Sequence, residues 1–598
     1  MLDWFLLKDY PYFCNKMRKF RYILLFAACL MLWQCNPEPV PEPEPPEPDP
    51  AISIIGPSAI NLSEEAGEGT ITFISATGWA ASTAESWISI NPSSGDGSKD
   101  VVTMTVTCEE NPNETPRTGE ITITSGDIAK IITVSQAGQP SGPKSEECEL
   151  SVLRLFASSN PSLAKNIEVV PYSIRGIRMV LITFPENTDV TNLIPVFEIS
   201  KKAKVMVSGG QITNGKSAVD FSHTMTWTIV AEDGEHTTDY VVIPRKGDIA
   251  IDNAVYAFMG AYNIPGVGIA VIKNDHIAYS AGYGMAEVSA TDPVLCTEDH
   301  LFRLASVSKT LTAICILTLC QKGQLSLEEK LFAPGGCLAD IAPSHLAAAN
   351  EIRIVDLLTH RSGWTNNTIG ADPIFTGDSR FYGKSVRGRL EYMLKNIAPY
   401  YTPGTYYSYF NMGFSILGLV IEQITGKSYE TYLREVAAKA GANDIWLSKT
   451  PRNGKRENEC VFYSQDSAYP YDNNMEIAAA CGGVTASATD MARILCAIDY
   501  GSETPDLLTA GWLNKMYTNY TSSGKGGYGL GWWIGHNAYP NWAAYHTGSL
   551  SGTATLWVRG NDGTGGVILC NSRSQKNAFD GAMYEALNNA LIRVKQDY

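Results

Sequence analysis

The sequence has little positive charge, no long apolar run and few residues suited to metal binding. Its 46 Lys and Arg are outnumbered by 62 Asp and Glu, for a net charge of -16, so it lacks the excess of positive charge typical of nucleic-acid binders. The 13 cysteines form no C-x-x-C pair and the 8 histidines no H-E-x-x-H motif. This argues against a zinc module or a disulfide scaffold. A G-x-S-x-G elbow is also missing, which argues against an α/β-hydrolase.

What remains is the composition of a folded, modular protein. Hydrophobic residues make up 44% and aromatic residues 10% of the 598-residue chain, and both values are ordinary for globular proteins. At about 150 residues per domain, this length predicts roughly four units.

The region 1–35 has the pattern of an export signal. A short apolar stretch, 22–33, follows a basic cluster and is shorter than the roughly 18 residues of a spanning helix, so a secretory signal starting at Met17 is favoured. The stretch leads to Cys35, with Leu32 at the first lipobox position. It therefore resembles a bacterial lipoprotein signal, which implies that Cys35 carries a lipid; a soluble secreted protein is the alternative.

A tether follows the signal region. Residues 36–50 consist almost entirely of proline and acidic residues, a composition typical of an extended polyproline II spacer. We therefore expect an exported protein anchored in the cell envelope, on the periplasmic side or at the cell surface, with the outer membrane as the favoured site.

Residues 51–139 are predicted to form a β-sandwich. Short β-branched runs such as 101–107 alternate with turn residues, a pattern typical of this fold. Trp79, Trp87 and the closing Ser-Gln-Ala-Gly of 135–138 resemble the BACON domain, a family usually found beside carbohydrate-active domains in Bacteroidetes. The resemblance implies contact with glycans, but core packing is the favoured interpretation of both tryptophans.

A second β-rich module is predicted at 146–247. Alternating runs at 179–183 and 227–230 resemble the immunoglobulin-like modules of bacterial surface proteins. No motif in this module carries chemistry, so we expect a spacer.

The first chemical motif is Ser306-Val-Ser-Lys309. The same Ser-x-x-Lys spacing occurs elsewhere, for example at Ser162 and Lys165, but only Ser306 opens an apolar, helix-like run, 311–320. On a helix the two side chains share one face, so the lysine amine can take the serine proton and activate the hydroxyl. A capping serine beside a solvated lysine is the alternative.

Two further motifs follow in the chain. Tyr409-Phe-Asn411 precedes an apolar helix-like segment, and His546-Thr-Gly-Ser549 follows a strand-like one. A tyrosine near a lysine can act as a general base, a carboxamide can hold a carbonyl, and a glycine lets a strand edge approach a ligand.

The three motifs in this order resemble the serine β-lactamase and penicillin-binding superfamily, in particular class C β-lactamases, D,D-peptidases, D-aminopeptidases and related esterases. The resemblance covers nearly all of 248–598. It implies a multidomain protein in which two all-β sandwiches precede an α+β β-lactamase/transpeptidase-like domain, with an antiparallel sheet flanked by helices plus a helical subdomain. No cofactor, metal or nucleic acid is implied, and the substrate would be a small molecule or peptide of the cell envelope.

The resemblance also implies roles for the residues of the first two motifs. Ser306 would attack a carbonyl and become acylated, with Lys309 and Tyr409 passing its proton. Asn411 would orient the substrate carbonyl. His360, in a neighbouring family segment, is predicted instead to fasten a loop by hydrogen bonds.

In the third motif, the Ser549 amide would complete an oxyanion hole, Gly548 would allow close approach and Thr547 would bind a carboxylate. His546 would assist proton movement and stands where β-lactamases usually have lysine. This difference favours hydrolysis of a D-amino-acid peptide or an ester, as in D,D-carboxypeptidases, D-aminopeptidases and esterases. A β-lactamase, or a penicillin-binding or glycan-binding lipoprotein without turnover, is the alternative.

Overall fold

The computed structural model describes residues 52–139, 142–289, 293–341, 346–522 and 526–597. The predicted signal region, Cys35 and the tether lie outside the described residues. Within the described ranges, no helix has the length and apolar character needed to cross a membrane. The chain divides into two compact units, one ending at Gly142 and the other beginning at Pro143.

The first unit is a β-sandwich. Its strands are β1 (Ile52–Ile54), β2 (Ala59–Leu62), β3 (Gly67–Ser75), β4 (Trp79–Thr83), β5 (Ile88–Asn91), β6 (Ser94–Gly95), β7 (Ser98–Cys108), β8 (Arg117–Ser125) and β9 (Ile128–Gln136). They form sheets of order β1-β3-β7-β5 and β2-β9-β8-β4-β6. Trp79 lies in the shared core, edge-on to Phe73, whereas Trp87 is half-buried beneath the Arg117 guanidinium.

The second unit begins with another sandwich. Its strands are β10 (Leu150–Leu155), β11 (Ile167–Val169), β12 (Tyr172–Ile174), β13 (Ile177–Phe184), β14 (Val196–Ile199), β15 (Lys204–Val207), β16 (Gly210–Ile212), β17 (Met225–Val230) and β18 (Thr237–Lys246). They form sheets of order β11-β10-β14 and β12-β13-β18-β17-β15-β16, with β13 and β18 parallel. Apolar side chains from both sheets share one core around Trp227.

The rest of the unit is built on an eight-stranded sheet of order β21-β20-β19-β30-β29-β28-β27-β26. The strands of this region are β19 (Gly266–Lys273), β20 (His276–Glu287), β21 (Val294–Leu295), β22 (Phe302–Arg303), β23 (Trp446–Leu447), β24 (Tyr463–Ser464), β25 (Val484–Ala486), β26 (Gly527–Tyr528), β27 (Trp533–Ile534), β28 (Trp542–Leu550), β29 (Thr553–Gly560), β30 (Thr564–Cys570) and β31 (Ser572–Arg573). All neighbours in the large sheet are antiparallel.

Helices cover the sheet and form a separate helical region. They are α1 (Ile249–Tyr262), α2 (Ser308–Gln321), α3 (Ile354–Leu358), α4 (Asn366–Ile369), α5 (Val386–Asn396), α6 (Asn411–Thr425), α7 (Tyr429–Ala438), α8 (Met475–Gly482), α9 (Ala488–Cys496), α10 (Ala510–Met516) and α11 (Phe579–Asp597). Helices α1 and α11 pack with the sheet in one core, and α2, α6 and α8 pack together in a second core. This arrangement confirms the predicted fold class.

A buried polar network joins the second sandwich to the sheet. Asp252 on α1 is fully buried and accepts hydrogen bonds from Thr183 (2.7 Å), Tyr279 (2.6 Å) and Tyr283 (2.6 Å). The Arg245 guanidinium lies 3.1 Å from the same carboxylate. Because these residues come from β13, β18, α1 and β20, the network fixes the sandwich against the large sheet.

Candidate active site

Ser306 lies on a tight turn at the start of α2. The turn is a single 3-10 segment, Ala305–Val307, in which Ala305 has a left-handed φ of 47°. A residue with a side chain adopts this backbone only when its surroundings hold it there. Leu304 supplies that restraint, because its N–H donates to Val484 O (2.8 Å) and its carbonyl accepts from Thr555 Oγ1 (2.8 Å).

Lys309 reaches Ser306 as the spacing predicts. The side chain is fully buried, and its Nζ lies 3.1 Å from Ser306 Oγ and 2.6 Å from Cys481 O. The amine also lies 4.8 Å from the centre of the Tyr409 ring. No ion pair to Lys309 occurs in the part of the chain that the structure describes. Its nearest polar contacts are therefore the serine hydroxyl and a backbone carbonyl.

Tyr409 is held in place by His360. The Nδ1 atom of His360 accepts from the Phe410 amide (3.0 Å) and its carbonyl accepts from the Ser408 amide (2.8 Å). The ring centres of His360 and Tyr409 lie 4.3 Å apart, with the two planes tilted by 34°. Burial, together with Lys309, holds the pKa of His360 well below its usual value, so the ring is neutral. These contacts confirm that His360 fastens a loop, and the loop is the one that carries Tyr409.

Asn411, the first residue of α6, binds a carboxylate that the sequence had not singled out. Its Nδ2 donates to Asp372 Oδ2 at 2.7 Å. Asp372 Oδ2 also accepts from Asn366 Nδ2 (3.3 Å), and Asp372 Oδ1 accepts from the Ile374 amide (2.9 Å). Asp372 follows a run of Thr, Ile, Gly and Ala with no catalytic pattern, so only the tertiary structure reveals it.

The third motif lies on β28, where one side of the strand is left open. On β28, strand β27 pairs only with Ala544 and Tyr545, so among the described strands the 546–549 backbone has a ladder partner on the β29 side alone. Thr547 is half-buried and Ser549 is exposed. An extended substrate backbone can bind along an unpaired strand edge of this kind.

His546 is neutral in this structure. It is 1% exposed, its Nδ1 donates to Thr547 O (2.7 Å) and its Nε2 accepts from the Tyr528 hydroxyl (2.8 Å). Burial, with a further contribution from Lys309, lowers its pKa to about 3. The imidazole therefore brings no positive charge to the motif at neutral pH. Tyr528 was not among the predicted site residues, so its contact with His546 was not foreseen.

Gly548 brings the third motif against the Ser306 turn. A Cβ atom at this position would lie 2.3 Å from Leu304 O and 2.1 Å from Thr555 Oγ1, far inside van der Waals contact. The backbone just before Ser549 therefore packs directly on the segment that leads into Ser306. This proximity is what a shared oxyanion hole between Ser306 and Ser549 requires.

Gly548→Ala is accordingly expected to displace the Ser306 turn. A shift of about 1 Å at a reacting group can cost roughly 100-fold in rate, so kcat/KM for any substrate of the site should fall by about that factor. Gly581→Ala is the matched control, because a Cβ there meets nothing within 4 Å. Steady-state kinetics on both variants check this, and equal activity of the two would contradict the packing argument.

The described residues show no group of three or more His, Cys, Asp and Glu side chains arranged to hold a metal ion. Their cysteines are all free.

Comparison with known families matches three segments of the chain. Residues 251–590 match the beta-lactamase family, 77–137 the BACON family and 174–243 the family described as SGBP, N-terminal. The first match covers more than half of the chain and includes all three motifs.

Individual relatives are distant. Protein flp of Staphylococcus aureus is 21% identical over 351 residues, which cover 58% of this chain and 67% of that protein. An octameric penicillin-binding protein homologue from Pyrococcus abyssi is 22% identical with a TM-score of 0.46, over 57% of this chain and 77% of the other. A D-alanine carboxypeptidase from Burkholderia cenocepacia is 21% identical with a TM-score of 0.44, over 57% and 97%.

Proposed function

The chain belongs to the beta-lactamase family, and from that premise we propose that it is a serine hydrolase working through an acyl-enzyme on Ser306. The observation that carries the proposal is the 3.1 Å contact between Lys309 Nζ and Ser306 Oγ, with the Tyr409 ring beside the same amine. A serine hydroxyl needs an adjacent base to become a nucleophile. Lys309 and Tyr409 are the groups placed to serve as that base.

In the proposed acylation step, Ser306 Oγ attacks the substrate carbonyl while its proton passes to Lys309 or Tyr409. The backbone amides of Ser306 and Ser549 stabilise the oxyanion of the tetrahedral intermediate. The proton then goes to the leaving amine or alcohol, whose bond to the carbonyl carbon breaks. Water repeats the sequence in deacylation, releasing the acid and restoring the Ser306 hydroxyl.

The third motif bears on the choice of substrate. A lysine at position 546 would offer a cation to a substrate carboxylate, whereas the buried His546 is neutral. Thr547 offers a substrate carboxylate a hydroxyl group but no positive charge. We therefore favour an amide or ester with a D-amino-acid acyl group over a β-lactam.

The lipid anchor at Cys35, the envelope location and the contact of the BACON domain with glycans stay predictions.

The experiment that tests the proposal combines covalent labelling with a substrate panel. The purified chain is treated with a fluorescent fluorophosphonate and with fluorescent penicillin. It is then assayed on a β-lactam, a D-Ala-D-Ala peptide, a D-aminoacyl amide and a short-chain ester. We expect a fluorophosphonate adduct on the peptide that contains Ser306, and hydrolysis of an amide or ester.

The other outcomes separate the alternatives. Rapid β-lactam turnover would favour a β-lactamase. A lasting penicillin adduct without turnover of any substrate would favour the penicillin-binding lipoprotein. If the chain forms no adduct with either probe and hydrolyses none of the substrates, the proposed enzyme function is refuted.

A further inference from the structure

A carboxylate without a cationic partner lies beside the second motif. Asp372 is half-buried and accepts hydrogen bonds from Asn411 Nδ2 (2.7 Å), Asn366 Nδ2 (3.3 Å) and the Ile374 amide (2.9 Å). Among the described residues it forms no ion pair. The guanidinium of the nearby Arg389 donates instead to the backbone carbonyls of Pro373 and Ile374. Asp372 is thus hydrogen-bonded and interacts with the Arg389 charge only at a distance, without a cation in contact with its carboxylate.

The loop that carries Asp372 reaches the Ser306 turn. A Cβ atom at Gly482 would touch both the Phe375 ring (3.7 Å) and the Ala305 carbonyl carbon (3.8 Å). The carbonyl of Cys481, one residue earlier, accepts from Lys309. The loop, the end of α8 and the turn therefore meet at one wall of the site, which is distinct from the β28 edge.

This wall is rich in acceptors. Asn366 Oδ1 is buried and has no hydrogen-bond partner, and the same side chain uses its Nδ2 on Asp372. The unused oxygen therefore belongs to the same amide group that donates to the carboxylate. A negative charge beside an unsatisfied acceptor suits a protonated amine, which has three donors and one positive charge.

The charges on the two walls of the site also favour a substrate with a positive charge. His546 is neutral on the β28 side, whereas the Asn411 side carries the Asp372 carboxylate. A substrate with a cation close to its scissile carbonyl fits this distribution better than one with a carboxylate. In an aminoacyl group the α-amine is attached to the carbon next to the carbonyl.

We propose that Asp372 is a specificity residue that binds the protonated α-amine of an aminoacyl amide or ester, so that the hydrolase releases an amino acid with a free amino group. The inference rests on the proposed function, since it assumes that Ser306 attacks the adjacent carbonyl. It narrows the substrate class from acyl groups in general to acyl groups with a free amine.

The test compares the full chain with Asp372→Asn on paired substrates. D-alanyl p-nitroanilide and its N-acetyl derivative differ in the amine, and p-nitrophenyl butyrate has none. Asparagine keeps an oxygen acceptor for Asn411 and removes the charge, but its amide group no longer accepts from the Ile374 amide. We expect the full chain to prefer the free amine by about tenfold or more, the size of a charge-assisted hydrogen bond. Asp372→Asn should lose that preference, mainly through a raised KM for the free-amine substrate, and should lower the free-amine rate far more than ester hydrolysis or fluorophosphonate labelling.

Asp378→Asn is the matched control. Asp378 lies on the same loop, but Arg380 already neutralises it at 2.6 Å, so the preference for the free amine should persist. Equal rates on free and acetylated substrates in the full chain would overturn the inference. So would an Asp372→Asn variant that loses ester and both amide activities equally, because Asp372 would then only position Asn411. Absence of any Ser306 labelling is a separate result, which would refute the serine hydrolase and the inference with it.

Discussion

Ser306→Ala will abolish fluorophosphonate labelling and lower kcat/KM for every substrate of the site. In the proposed mechanism the Ser306 hydroxyl oxygen becomes acylated, and the methyl group of alanine cannot replace it. Removal of the catalytic serine from a well-studied serine protease costs roughly 10⁶-fold in kcat, and we expect a loss of at least about 10³-fold here. Intact-protein mass spectrometry after labelling and steady-state kinetics measure the two effects.

Ser162→Ala is the control for this prediction. Ser162 and Lys165 repeat the Ser-x-x-Lys spacing, but both are exposed on the second sandwich and Ser162 Oγ donates to the Asp189 carbonyl at 2.7 Å. The Ser162→Ala variant should react with the fluorophosphonate and hydrolyse substrates as the unsubstituted chain does. Labelling that persists in Ser306→Ala would assign the nucleophile to another residue.

The contrast between the two serines explains why the first motif was predictable. Ser306 and Lys309 are three residues apart, so local helical geometry brings them together once the segment is helical. The apolar run after Ser306 identified that segment, and the structure begins α2 at Ser308. The tight turn at Ala305 was not predictable, because hydrogen bonds from distant strands impose it.

Sequence motifs do not predict contacts between residues that lie far apart in the chain. Asp372 meets Asn411 39 residues later, and Lys309 meets the Cys481 carbonyl 172 residues later. Neither Asp372 nor Cys481 has a characteristic spacing to its partner. The charge state of His546 could not be predicted from the sequence either, because it depends on burial, which the tertiary fold determines.

The organisation of the domains was also only partly predictable from the sequence. Composition and strand periodicity separated two β modules from the longer C-terminal region, and the length of 598 residues suggested roughly four units. The structure forms two compact units instead. The second sandwich and the eight-stranded sheet share the Asp252 network, in which the contact between Thr183 and Asp252 spans 69 residues and has no characteristic spacing.

Asp252→Ala is expected to destabilise the second unit by about 3–5 kcal/mol, the usual cost of breaking a buried ion pair by removing one partner. The substitution leaves the Arg245 guanidinium without its carboxylate and removes the acceptor of Thr183, Tyr279 and Tyr283. Urea unfolding followed by tryptophan fluorescence measures the loss. Trypsin should also cleave faster after Arg245 or Lys246, because the joint that holds this segment is weakened.

The control for this prediction is Asp220→Ala in the same sandwich. Asp220 is exposed, accepts a hydrogen bond from its neighbour Ser222 and lies 3.9 Å from the exposed His223 ring, so the free energy of unfolding should change by less than about 1 kcal/mol. If Asp252→Ala also changes it by less than this amount, the network does not hold the sandwich to the sheet. If the expected loss occurs with fluorophosphonate labelling intact in the folded variant, the joint supports the catalytic region without taking part in its chemistry.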